Sequence, residues 1–71
     1  MQVFDEKKFR AQIILKGKTY REVARTLNIS LATFHRRIAA QGNFTRKEIG
    51  ILIEFLEIEK PMEIFFAKEL A

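Results

Sequence analysis

Residues 23 to 38, VARTLNISLATFHRRI, set two short amphipathic runs on either side of Asn-Ile-Ser, and no other feature of the chain constrains its fold as tightly. A helical apolar period that stops at Leu27 and resumes past Ser30 leaves little chain in which to change direction. Asn28 suits a sharp corner because asparagine is one of the few non-glycine residues that tolerates positive φ. Ile29 plugs that corner with an apolar side chain, and Ser30 carries the hydroxyl that caps the next helix. In that helix Phe34 and Ile38 form the buried stripe. Before the corner, Val23 and Leu27 face the core four residues apart, and Ala24 is small enough for a second helix to come close.

The flanking segments read as helices too. Asp5 caps a first helix that runs to about Lys16, with Phe9, Ile13 and Ile14 as inward candidates, and Gly17 closes it in the left-handed conformation. Thr19 and Glu22 have the spacing of a capping box, in which hydroxyl and carboxylate each take one orphan N–H, so the second helix starts at about Tyr20. The third helix ends near Gln41-Gly42. A second capping box, Thr45 and Glu48, opens a fourth helix carrying Ile49, Leu52, Ile53 and Leu56 at helical spacing. That helix has another apolar row, Ile51, Phe55 and Ile58, which something must cover. Pro61 suits the start of a short final helical turn whose Ile64 and one phenylalanine fold back over the row; the alternative is that part of this surface meets a second copy. No stretch alternates convincingly, so no sheet is expected.

With 71 residues the chain has room for one domain, and 48% apolar with 31% charged residues is the balance of a folded, soluble one. It has no cysteine and a single histidine, which leaves no thiolate zinc site, no disulfide framework and no partner for a histidine-bound metal. The N-terminus does not show a basic n-region followed by an apolar h-region, and no apolar run reaches ~18 to 20 residues, so neither export nor membrane insertion is expected and a reducing cytoplasm is the expected setting. An enzyme is disfavoured, because Asp5 is the only aspartate, the lone histidine has no nucleophile placed beside it, and no glycine-rich phosphate loop exists. Neither a cofactor nor a small-molecule ligand is signalled.

The net charge of +4 hides a separation of sign along the chain. Residues 1–47 hold eleven Lys/Arg against three acids, whereas residues 48–71 hold two Lys against six Glu. The first part is suited to approach a polyanion and the second is not.

The run from Thr19 to Ile38 resembles the helix-turn-helix of the Cro and phage-repressor family. The likeness is carried by Val23 and Ala24, by Asn28 where that family often has glycine, and by Ile29, Ser30 and the buried Phe34. Gly42-Asn-Phe-Thr-Arg-Lys-Glu-Ile49 resembles the approach to that family's fourth helix, and Pro61-Met-Glu-Ile-Phe-Phe66 is similar to the end of its small phage-borne members. The resemblance covers nearly the whole chain. It implies a compact all-α, four- to five-helix, lambda-repressor-like domain, with the motif at about residues 19–40. It also implies a sequence-specific, Cro-like transcriptional repressor of phage or prophage type.

On that resemblance the recognition helix, about residues 30–40, enters the major groove of an operator. With Phe34 and Ile38 buried, Leu31, Ala32, Thr33, His35 and Arg36 lie along its opposite and flanking surfaces, and Ser30 serves as cap and as base or phosphate contact. Arg36 has the fork that pairs with guanine O6 and N7, a contact contributing about 1–3 kcal/mol of discrimination. Arg37 turns toward backbone phosphate rather than bases. Family members bind phosphate with the first residues of helix two and the loop before helix four, which here implies Tyr20, Arg21, Asn43, Thr45, Arg46 and Lys47. Cations at a helix N-terminus are mildly unfavourable without an anion nearby, which agrees with that role for Arg46 and Lys47. The chain departs from the family at Tyr20, where many relatives have a glutamine that buttresses the recognition helix, and at Leu31 and Ala32, which replace polar readers.

A homodimer through helix four and the C-terminal segment (Phe55, Ile58, Met62, Phe65, Phe66) is the expected assembly, placing two recognition helices one turn of DNA, about 34 Å, apart. The competing expectation is a protein-binding antirepressor or modulator that uses the same scaffold to grip another regulator.

Overall fold

The computed structural model describes residues 4–66, which form five helices and, among the described residues, no strand. In chain order they are α1 (Glu6–Leu15), α2 (Tyr20–Thr26), α3 (Leu31–Ala39), α4 (Arg46–Phe55) and α5 (Pro61–Phe65). The first four each begin at a side chain that satisfies a backbone N–H the helix cannot. Asp5 accepts from Lys8 N–H at 3.0 Å and Ser30 from Thr33 N–H at 3.0 Å. Thr19 and Thr45 accept from the N–H groups of Glu22 and Glu48, each at 3.1 Å, while those glutamates accept in return from the threonine backbone. Both expected capping boxes are therefore present, each threonine cap worth about 1 kcal/mol.

The same four helices end alike. A residue with positive φ follows the last turn, its own N–H reaches back three residues and the next N–H reaches back five. Gly17 (φ 66), Asn28 (φ 60), Gln41 (φ 63) and Glu57 (φ 49) occupy the left-handed position. The five-residue bonds are Lys18 to Ile13 at 3.0 Å, Ile29 to Ala24 at 3.0 Å, Gly42 to Arg37 at 3.0 Å and Ile58 to Ile53 at 2.9 Å. At the α2–α3 corner this motif lays half-buried Ile29 back over Ala24, as an apolar residue just past a helix commonly does. Gly42 also has positive φ, and a β-carbon there would run into the Phe4 ring, so glycine is required on two counts.

The core is aromatic at its centre. Phe9, Phe34 and Phe65 are fully buried, joined by Phe4 and Phe44. The Phe9 ring lies 5.1 to 6.2 Å from those of Phe4, Phe34, Phe44 and Phe65, in edge-on or tilted geometry. Ile13, Val23, Leu52 and Leu56 fill the space around them. Helix α2 packs against α3 and α4, and α5 folds back against α1, where Asp5 N–H donates to Ile64 C=O at 2.7 Å.

Three expectations are corrected. Ile14 is 69% exposed rather than inward, because Phe9 and Ile13 already set the buried face of α1 and Ile14 falls a third of a turn off it. Ile58 and Phe65, expected on a dimer face, belong to the monomer's own core: Ile58 is the apolar residue that closes the α4 terminus, and Phe65 packs against Phe4 and Phe9. Phe55 of the second row on α4 is half-buried, with the Lys18 ammonium 5.0 Å above its ring. Among the described residues no helix is long and apolar enough to cross a membrane.

Candidate nucleic-acid interface

Helix α3 turns Phe34 and Ile38 inward, so its 3.6-residue period sends Ala32, His35 and Arg36 to the surface, with Leu31 and Thr33 half-buried at the edges. All three exposed side chains lie on the face expected for base contact. Leu31 packs at the rim of the core and, with Arg21, Ala24, Arg25, Asn28, Ile29 and Ser30, lines an open cleft of about 380 Å³ between α2 and the start of α3.

Hydroxyl chemistry at the α3 N-terminus is partly committed. Ser30 Oγ accepts from Thr33 N–H and donates to Thr33 Oγ1 at 2.9 Å. Its own hydrogen is thus used inside the turn, which leaves the Thr33 hydroxyl hydrogen as the one directed elsewhere. Ala32 presents only a methyl group. Outward hydrogen bonding on this helix therefore rests on Thr33, His35 and Arg36.

Tyr20 braces α3 from behind. Its ring stands edge-on to Phe34, with centroids 5.3 Å apart and planes at 90°, and lies 5.3 Å from the His35 ring. The brace on α3 is an aromatic ring, a contact visible only once α2 and α3 are packed.

Arg37 does not point freely outward. Its guanidinium donates to Glu48 Oε2, while Glu48 Oε1 accepts from Thr45 N–H at 2.8 Å, so one carboxylate caps α4 and ties it to α3. The Arg37 carbonyl also accepts from the N–H groups of Gly42 and Asn43, at 3.0 and 3.3 Å. The pair anchors the 40–45 loop, placing exposed Asn43 and Thr45 against the end of α3 and Arg46 and Lys47 just beyond. Burial pushes the Glu48 carboxyl up, but the hydrogen bond from Arg37, the Thr45 backbone N–H and the Arg37 charge together hold it below the ordinary carboxylate range.

A depressed folded-state value means that Glu48 stabilises the fold above its unfolded pKa of about 4.3 and that this contribution is lost as pH falls through the folded value. Glu48→Gln is expected to cost about 1–2 kcal/mol near neutral pH. In urea unfolding, the gap to wild type should close at acidic pH; a gap independent of pH would show that the ion pair contributes nothing.

The charge pattern separates sharply in space. Lys8 pairs with Glu63 at 3.3 Å and Lys16 with Glu57 at 3.7 Å, so acids of the C-terminal part partly neutralise α1 and the residue after it, while Arg10 pairs with Glu6 within α1 at 2.7 Å. Between residues 19 and 47 the one acid is Glu22, engaged by the Thr19 backbone. Among the described residues Arg21, Arg25, Arg36, Arg46 and Lys47 enter no ion pair. Positive charge therefore stands uncompensated around α2, α3 and the start of α4.

Arg25, which the sequence reading did not single out, joins Arg21 at the cleft one helical turn away; the i, i+4 spacing was the available signal. Among the described residues no group of three or more His, Cys, Asp and Glu side chains could hold a metal ion. Comparison of the chain with protein-family models, curated proteins and solved structures gives no match.

Proposed function

We propose that this protein is a sequence-specific regulator of transcription that binds duplex DNA, with α2, the Asn28 corner and α3 acting as a Cro-like helix-turn-helix. The observation that carries the reading is the coincidence of an exposed Ala32, His35, Arg36 edge, with half-buried Thr33 beside it, and five cations that enter no ion pair among the described residues. Arg36 takes the base-reading role, Thr33 and His35 supply further polar contacts, and Ala32 with Leu31 lets the helix sit close to thymine methyl groups. Tyr20, Arg21, Asn43, Thr45, Arg46 and Lys47 hold backbone phosphate, with α2 and α4 offering free N–H groups at their N-termini. Arg37, engaged by Glu48, supports the loop that presents them. With few polar readers on α3, DNA shape contributes to specificity. A second copy, through Phe55, Met62 and Phe66 where they retain surface, matches an operator of two-fold symmetry.

The test is selection from random duplexes with wild type and Arg36→Ala. The expected result is an enriched half-site that the variant relaxes at one position. Enrichment unchanged by the substitution would remove Arg36 from base readout. One observation favours a second reading: Ile14 and Leu15 of α1 are 69% and 73% exposed side by side, a surface suited to a protein partner. Binding of that kind would respond little to salt.

A further inference from the structure

Arg10 lies on α1, outside every segment given a DNA contact above, yet it is bonded to one of them. Its Nε donates to the Tyr20 hydroxyl oxygen at 3.3 Å, and its Nη2 donates to Glu6 Oε2 at 2.7 Å. Glu6 thus holds the guanidinium from one side while the guanidinium holds the phenol from the other. The Tyr20 ring in turn contacts fully buried Phe34 and exposed His35. A continuous chain of contacts runs from α1 through α2 to the outward face of α3.

The chemistry of the phenol gives this chain a direction. A tyrosine hydroxyl is one donor and an acceptor. Arg10 occupies the acceptor side with a charged donor, so the hydroxyl hydrogen remains to be given to an acceptor outside the protein, and a neighbouring cation polarises that O–H bond. A phosphate oxygen of the DNA backbone is an acceptor of the right kind, and Tyr20, as the first residue of α2, stands at the surface end of that helix.

We infer that Arg10 is a positioning residue of the DNA site: anchored by Glu6, it fixes the Tyr20 hydroxyl for donation to a backbone phosphate while the ring steadies His35. This rests on the reading of α3 as the DNA-contacting helix. Lysine is not an equivalent. A guanidinium presents two donors at fixed separation in one plane, matching Tyr20 and Glu6 together, whereas an ammonium is a point charge on a flexible stem.

The sequence supplies an internal probe, since Tyr20 is the only tyrosine and there is no tryptophan. Tyrosine emission therefore belongs to this one ring. Duplex affinity is measured for wild type, Arg10→Lys, Tyr20→Phe and the double variant, and tyrosine anisotropy decay for wild type and Arg10→Lys without DNA. Arg10→Lys keeps the net charge yet should bind about fivefold more weakly, with a more mobile ring. The double variant should bind within about twofold of Tyr20→Phe, because Arg10 acts through the hydroxyl. Wild-type affinity in Arg10→Lys, or losses that multiply in the double variant, would overturn the positioning role and leave the DNA reading intact. Absence of duplex binding by wild type at low salt would overturn both, so the two failures are distinguishable.

Discussion

Phe34→Ala is expected to remove about half of the fold's stability. Phe34 is fully buried, and its ring lies 5.3 to 6.2 Å from those of Tyr20, Phe44 and Phe9, so one side chain joins α1, α2, α3 and the loop before α4. Truncating such a phenylalanine costs about 3–5 kcal/mol, as lost transfer free energy plus the cavity left behind. A domain of this size has a total stability of only about 4–10 kcal/mol. Phe34→Leu keeps most of the volume and should cost about 1–2 kcal/mol. Urea unfolding followed by far-ultraviolet circular dichroism measures both. A loss below about 1 kcal/mol for the alanine variant would mean that the core does not converge on this ring.

The second large effect concerns binding. Arg46 and Lys47 occupy the first turn of α4, where the helix dipole disfavours cations. Reversing both charges with Arg46→Glu and Lys47→Glu should therefore stabilise the fold slightly, by about 0.3–1 kcal/mol per position. The same change should weaken duplex binding roughly hundredfold at low salt and flatten its salt dependence by about two units of log–log slope. Gain in one property with loss in the other sets a binding residue apart from a structural one. Thermal unfolding and fluorescence anisotropy on one labelled duplex measure the two sides, and unchanged affinity would remove the α4 N-terminus from the interface.

Much of the helical framework was legible because its start signals are local. Asp5, Thr19, Ser30 and Thr45 each act on the N–H group three residues on, and the sequence carries that whole interaction. Two of the helix ends were equally plain, since Gly17 and Asn28 are residues that accept positive φ. Gln41 and Glu57 adopt the same conformation without that preference, and the bonds and burial that follow them, such as that of Ile58, supply the reason. Phe4 and Phe44 were not legible as core because neither lies within a helix, so no period marks them. Ile14 misled in the opposite way: it follows buried Ile13 in an apolar run, yet it is exposed together with Leu15.

The outward edge of α3 followed from the burial of Phe34 and Ile38 and needed no tertiary information. What surrounds that edge did need it. The Arg37–Glu48 tie joins residues eleven apart, and the Arg10–Tyr20 bond crosses between two helices. Neither spacing has a local signature. Charge separation along the chain was visible, but pairing of α1 lysines with Glu57 and Glu63 required the fold.

The most direct measurement is a titration of wild type against labelled mixed-sequence duplexes at several salt concentrations. DNA binding with Arg21, Arg46 and Lys47 on phosphate predicts affinity that falls steeply as salt rises, with a log–log slope of about −0.9 for each phosphate neutralised, or about −3 per protomer. Weak binding at low salt with no slope would contradict the DNA reading and direct attention to the exposed Ile14 and Leu15 surface.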